Sequence, residues 1–197
     1  MKSFSRLALL LCSLCLAPLA SADALVDSMK ADVENVVSLL EQNPESPPYA
    51  ELKAVLDQRF SFYTISRRAL GRGWSSFNED QQKEFVELFT DLLVRTYASR
   101  YEGNADEVEV TWEDSIDLGS KKKEITTSVK LDNESVKVVY RLADLEGDWK
   151  IYDVLIEGVS LISNYREQFT SLLSRGSAED VLKTLRDKST NLESVGP

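Results

Sequence analysis

The stretch WKIYDVLIEGVSLISNYREQF, from Trp149 to Phe169, decides the fold. Its first half, Trp149 to Ile156, is dense in β-branched and aromatic residues and reads as a buried strand. Its second half places Leu161, Ile162, Tyr165, Phe169, Leu172 and Leu173 at helical spacing. Only Glu157-Gly158 separates the two halves. The expectation is a strand that runs through this pair straight into an amphipathic helix, with Gly158 as a permissive hinge.

Upstream of this block the apolar residues recur every second position. Val108, Val110 and Trp112 alternate with Glu109, Thr111 and Glu113. Ile125, Thr127, Val129 and Leu131 form a second such row, and Val136, Val138, Tyr140 and Leu142 a third. Period 2 predicts strands with one apolar and one polar face. Gly119-Ser120, Asp132-Asn133 and Glu146-Gly147-Asp148 supply turn chemistry between them. Connections this short join antiparallel neighbours. With Trp149–Ile156 as the fourth member, the pattern predicts a four-stranded antiparallel sheet, wet on one face and covered by helices on the other.

The covering helices lie on both sides of the strands in sequence. Leu25, Val26, Met29, Val33, Val36, Val37 and Leu40 predict a helix over 23–42, ended by the proline-rich run 43–48. Leu52, Val55, Leu56, Phe60 and Phe62 mark a second helix, and a short one is expected over 64–70, closed by Gly71 and Gly73. Asn78 with Gln81 makes a capping box that opens a long helix to about residue 100, striped by Phe85, Leu88, Phe89, Leu92, Leu93 and Tyr97. Gly176 ends the helix that follows the last strand. Ser177 with Asp180 then caps a final helix bearing Val181, Leu182 and Leu185, and the tail from Ser189 is expected to fray. Helices, strands, then helices give an α+β fold.

The first 22 residues read as a signal peptide. Lys2 and Arg6 precede the apolar run Leu7–Leu16, too short to span a bilayer, and Ala20-Ser21-Ala22 fits a cleavage site. Residues 23–197 are then one domain, long enough for a real core. Removing the leader removes Cys12 and Cys15, the only cysteines. It also removes Lys2 and Arg6, which takes the formal charge from −10 to −12. That charge opposes general nucleic-acid binding and adhesion to an anionic membrane surface, so membrane contact is expected through protein partners. The chain has no histidine. Ser-His-Asp and Cys-His catalysis and His- or Cys-built zinc sites are therefore excluded.

No phosphate loop, dinucleotide fingerprint or nucleophile elbow is present, so no catalysis, cofactor or metal is expected. Ser120 and Lys123 fit S-x-x-K but fall in a polar stretch with Lys121 and Lys122, expected to be a solvated turn. Asn133-Glu134-Ser135 matches a glycosylation sequon at a position that needs turn residues. Asp153 stands alone in an apolar strand. It suits either a general base or, as buried carboxylates require, a structural acceptor held by backbone or arginine donors. Arg67, Arg68 and Arg72 form one basic cluster and Lys121–Lys123 another, each readable as a docking patch, a head-group contact or plain solvated surface. The large apolar side chains on the facing stripes suit a packed core or the wall of a ligand cavity, and periodicity does not separate these.

Tyr152-Asp153-Val154, Glu157-Gly158-Val159-Ser160, Asn164-Tyr165-Arg166 and Phe169 resemble the signature run of the MlaC family, also called the toluene-tolerance family. Leu70-Gly71-Arg72-Gly73-Trp74, followed by Phe85, Phe89, Leu92, Leu93 and Tyr97, is similar too, as is the spacing from Leu172 to Leu185. The chain departs from the family pattern at Gly73 and at 78–82, a loop and a cap. The resemblance implies a periplasmic carrier that binds a glycerophospholipid in an apolar cavity enclosed by the sheet and several helices. It implies exchange between an outer-membrane lipoprotein complex and an inner-membrane ABC transporter, maintaining outer-membrane lipid asymmetry. The chain is expected to act as a monomer. On the same ground the lipid-contacting residues are expected to be Val110, Trp112, Val129, Val138, Tyr140, Phe89 and Tyr165. A periplasmic adaptor or chaperone with a groove for protein is the competing reading, and a hydrolase using Asp153 a weaker third.

Overall fold

The computed structural model describes residues 21–101, 104–131 and 134–193. Four helices precede the sheet: α1 Ser21–Glu41, α2 Tyr49–Arg59, α3 Phe62–Leu70 and α4 Glu79–Ala98. The strands are β1 Glu109–Asp117, β2 Lys122–Leu131, β3 Glu134–Leu145, β4 Asp148–Ile156 and β5 Val159–Ser160, followed by α5 Leu161–Leu173 and α6 Ala178–Glu193. The fold is α+β. Residues 1–20, with the leader's apolar run, lie outside the described residues, as does the Asp132-Asn133 turn with the first residue of the sequon.

The sheet is an antiparallel meander in the order β1-β2-β3-β4-β5. It has five strands where periodicity predicted four. The fifth arises at Glu157-Gly158. Both residues have positive φ, 48° and 79°, and Ile156 pairs with Val159 across them. Two consecutive left-handed residues make a tight two-residue hairpin turn. The chain therefore reverses and pairs back on β4 before α5 starts, rather than running straight into it. The same device closes the β3–β4 hairpin, where Glu146 and Gly147 have φ of 60° and 95° and Leu145 pairs with Asp148.

The helix caps follow the sequence chemistry. Asn78 accepts from the Gln81 N–H at 2.9 Å while Gln81 accepts from the Asn78 N–H at 3.1 Å. Ser177 and Asp180 reciprocate in the same way at the start of α6. The short third helix begins two residues earlier than expected because Ser61 caps it, accepting from Thr64 N–H. Beyond Gly71 the chain winds on as a 3₁₀ turn to Ser76. Of the tail expected to fray from Ser189, the part to Glu193 is helical, as the end of α6, and residues 194–197 lie outside the described residues.

Two hydrophobic clusters hold these layers. The larger one joins α2 to α6 around Phe85, Phe89 and Phe169. Edge-on rings dominate it, with centroids 5.1 Å apart for Phe85–Phe169 and 5.3 Å for Phe89–Phe169. The smaller one seats Leu25 and Met29 of α1 on Ile125, Leu142 and Ile151 at the sheet centre. Lys123 joins this second cluster. It is buried, bonded to Asp117, with Nζ 5.4 Å from the Trp149 ring centroid. The expected solvated turn thus holds for Lys121 and Lys122 but not for Lys123. Period 2 puts Lys123 on the same face as Ile125, and that face is covered.

Candidate functional site

An apolar cavity of about 300 Å³ lies between the inner face of the sheet and helices α1 to α5. Its walls come from the stripes that define the elements. From α1 come Val33, Val36, Val37 and Leu40, and from α2 Leu52, Val55 and Leu56. Strands β1 to β3 supply Val110, Val129, Val138 and Tyr140, while β4 supplies Ile151, Val154 and Ile156. The β-branched residues on the strands alternate inward because the pleat dictates it. The helix residues converge because their apolar stripes face the sheet.

The seven residues expected at a lipid site divide. Val110, Val129, Val138 and Tyr140 line the cavity. Phe89 and Tyr165 stack instead in the aromatic cluster between α4 and α5, centroids 4.8 Å apart, and do not border it. Trp112 packs against the cluster at the sheet centre, beside α1. The structure adds what sequence reasoning left out: the α1 and α2 valines and leucines, and Tyr97 and Tyr101. Their signal was the apolar stripes of α1, α2 and α4, which suited a packed core or a cavity wall equally.

Three charged residues touch this wall: Asp32, Arg59 and Asp153. Arg59 is a three-way clasp. Its Nε donates to Asp32 Oδ2 at 2.6 Å, its Nη2 donates to Ser28, and its Nη1 donates to the Trp149 carbonyl at 3.5 Å. One guanidinium at the end of α2 thereby holds α1 and β4. Its planar fork with separately directed donors suits it to this role better than a lysine.

Asp153 is only 3% exposed. Ser160 Oγ lies 2.9 Å from both carboxylate oxygens, and the Ile162 N–H donates to Oδ1 at 3.4 Å. Arg141 sits 3.6 Å from Oδ2 and donates to Glu124 at 2.7 Å on its other side. Glu124, Arg141 and Asp153 are register neighbours across β2, β3 and β4, so the row is a cross-strand ion ladder. Asp153 also lies at the start of α5, where a negative charge meets the positive end of the helix. Its lone position in the strand is thus accounted for by backbone and arginine donors.

Burial pushes the phenols of Tyr97, Tyr101 and Tyr140 above their ordinary value, and that of Tyr165 up to about 12. These rings present neutral hydroxyls across the physiological range. Among the described residues no group of three or more metal-ligating acids, histidines or cysteines is brought together, and no helix is long and apolar enough to cross a membrane.

The family model described as MlaC protein matches residues 23–187. The solved structure of a phospholipid-binding protein from Ralstonia solanacearum, in complex with a phospholipid, is similar. It aligns with a TM-score of 0.76 and 25% identity over 88% of this chain and 99% of that one. No curated protein matches the chain.

Proposed function

The chain belongs to the MlaC family, and from that premise we propose that it is a non-enzymatic periplasmic carrier that binds a glycerophospholipid through its acyl chains. The observation that carries this reading is the cavity of about 300 Å³ with an almost wholly aliphatic and aromatic wall. Left to water, an apolar wall of that extent is unfavourable, and a bound acyl chain would cover it. Each acyl methylene buried there gains about 0.8 kcal/mol, the same gain it has in a bilayer. Loading and unloading are then nearly balanced, which suits a shuttle. The similar structure from Ralstonia solanacearum was solved with a phospholipid bound.

The finer parts of the proposal have their own support. Export through a leader ending at Ala22 agrees with a family match that starts at Asp23. Transfer between an outer-membrane lipoprotein complex and an inner-membrane ABC transporter, keeping the outer membrane asymmetric, follows the family resemblance. Saturation of Asp153 by Ser160, Ile162 and Arg141 argues against its use as a base.

Native mass spectrometry of the purified protein tests the reading. The expected result is an added mass that fragments as a phospholipid. The double variant Val110→Trp/Val138→Trp, which fills the cavity from two strands, should lose that mass while keeping its melting temperature. A wild-type protein without extractable lipid would overturn the carrier reading, and a bound peptide in its place would favour the adaptor.

A further inference from the structure

The cavity uses one side of α3 and α5, through Phe62, Ile65, Leu161 and Ile162. Beyond the cavity wall the same helices carry a cluster that the cavity does not explain. Arg67, Arg68, Arg72 and Arg166 are all exposed there. Four other arginines are held by carboxylates: Arg59 by Asp32, Arg95 by Asp91, Arg141 by Glu124 and Arg186 by Glu84, while Arg100 and Arg175 stand singly, on the Tyr97 ring and on Ser171. Among the described residues none of the four clustered arginines has such a partner. In a chain with formal charge −10, four guanidinium groups left unneutralised on one face form the exception to its electrostatics.

The cluster is also positioned. Arg166 Nε donates to the Arg68 carbonyl at 2.8 Å, and the Arg68 guanidinium lies 4.7 Å from the Tyr152 ring centroid. Gly71, at φ 55°, lets Arg166 pass at contact distance, and a Cβ on Gly73 would stand 2.4 Å from Leu173. The two glycines therefore bring the α3 turn and α5 together into a shallow groove that Arg68, Arg72 and Arg166 border. Beside it Tyr63, 56% exposed, sits one helical turn before Arg67 and meets Trp74 edge-on at 5.5 Å. Arginine with tyrosine and tryptophan is the composition of interface hot spots.

We propose that this face, centred on Arg67, Arg68, Arg72 and Arg166 with Tyr63 and Trp74, is a docking surface for an acidic protein segment. An anionic bilayer is the poorer fit, because the rest of the acidic chain would be repelled at the same time. A narrow carboxylate-bearing segment engages the guanidinium forks without bringing the remaining surface near negative charge. The proposal rests on the carrier reading for its purpose, since a carrier must dock on protein partners while loaded. None of these six residues lines the cavity, so loading leaves them available.

The test uses a labelled oligoglutamate peptide and the full mature chain at low salt, followed by fluorescence anisotropy. Binding should weaken as salt rises. It should fall about tenfold or more in Arg67→Glu/Arg72→Glu, while Lys121→Glu/Lys122→Glu, with the same change in net charge at a distant turn, binds like wild type. Equal loss in both variants would show a net-charge effect and overturn the proposal. So would arginine-dependent binding to phosphatidylglycerol vesicles without binding to the peptide. Should the reversal lower the melting temperature, Arg67→Gln/Arg72→Gln makes the same comparison, and an unchanged affinity there also overturns it. Lipid content of each variant is read separately by mass spectrometry, so failure of the carrier reading shows as missing lipid and failure of the docking face as peptide binding that ignores these arginines.

Discussion

Asp153 shows how much can rest on one buried carboxylate. It accepts from Ser160 and from the Ile162 N–H, and it closes the ladder through Arg141. Asp153→Asn keeps the shape but removes the charge, and turns one oxygen into a donor facing donors. The expected cost is about 1–3 kcal/mol in chemical denaturation, with bound lipid unchanged, because Arg141 keeps Glu124 as a partner. Loss of lipid at full stability would mean the residue acts on the ligand instead. The two hairpin turns make a second prediction at this scale. Glu146 holds φ 60°, where asparagine is far easier to place, so Glu146→Asn should raise stability by a few tenths of a kcal/mol, about 0.5. Gly158 at φ 79° has open space around a would-be Cβ, so Gly158→Ala should cost about 1 kcal/mol through backbone strain alone. Equilibrium urea melts of the two variants, moving in opposite directions, would check both.

Among the elements, α1 is the one whose attachment is most divided. Its first turns sit in the sheet-centre cluster, its later turns face the cavity, and Arg59 clasps it in between. Arg59→Met preserves the stem and removes the clasp. Amide exchange in α1 should then speed up by about tenfold relative to α4, with the sheet unaffected. Uniform exchange throughout would refute a local role. The long helices, their caps and the alternation of three strands were legible in the sequence because each spans several repeats of its period. Two-residue β5 was not, since a strand that short has no period to read. Its turn could have been recognised: Glu157-Gly158 repeats the Glu-Gly pair at 146–147, which was read correctly as a turn. For the site, the strand valines were legible from alternation. Phe89 and Tyr165 pair with each other away from the cavity wall, which sequence does not reveal because an aromatic stripe looks the same whether it faces a neighbouring helix or a cavity.

For the whole molecule, the buried phenols tie stability to alkaline pH. The folded chain holds Tyr97, Tyr101, Tyr140 and Tyr165 protonated beyond the ordinary value of 10.0, and the unfolded chain does not. Their contribution is therefore complete below pH 10 and is lost as pH rises toward about 12, the value for Tyr165. Denaturation followed by circular dichroism should show a falling midpoint over that interval, together with the tyrosinate absorbance. Phe substitutions at Tyr97 and Tyr140 should flatten the fall.

The Arg59 clasp has one more consequence, in the time domain. It joins Ser28 near the chain's start to the Trp149 carbonyl 90 residues beyond Arg59. The cavity's walls are likewise drawn from α1 at one end of the chain and α5 at the other. Contacts between such distant segments must wait for the loops between them to close, which is slow. Hydrogen bonds within a single helix span only four residues, whereas the container, like the aromatic cluster that joins Phe85 and Phe89 to Phe169, needs distant segments to meet. Refolding should therefore show helix signal well before the chain becomes able to retain lipid.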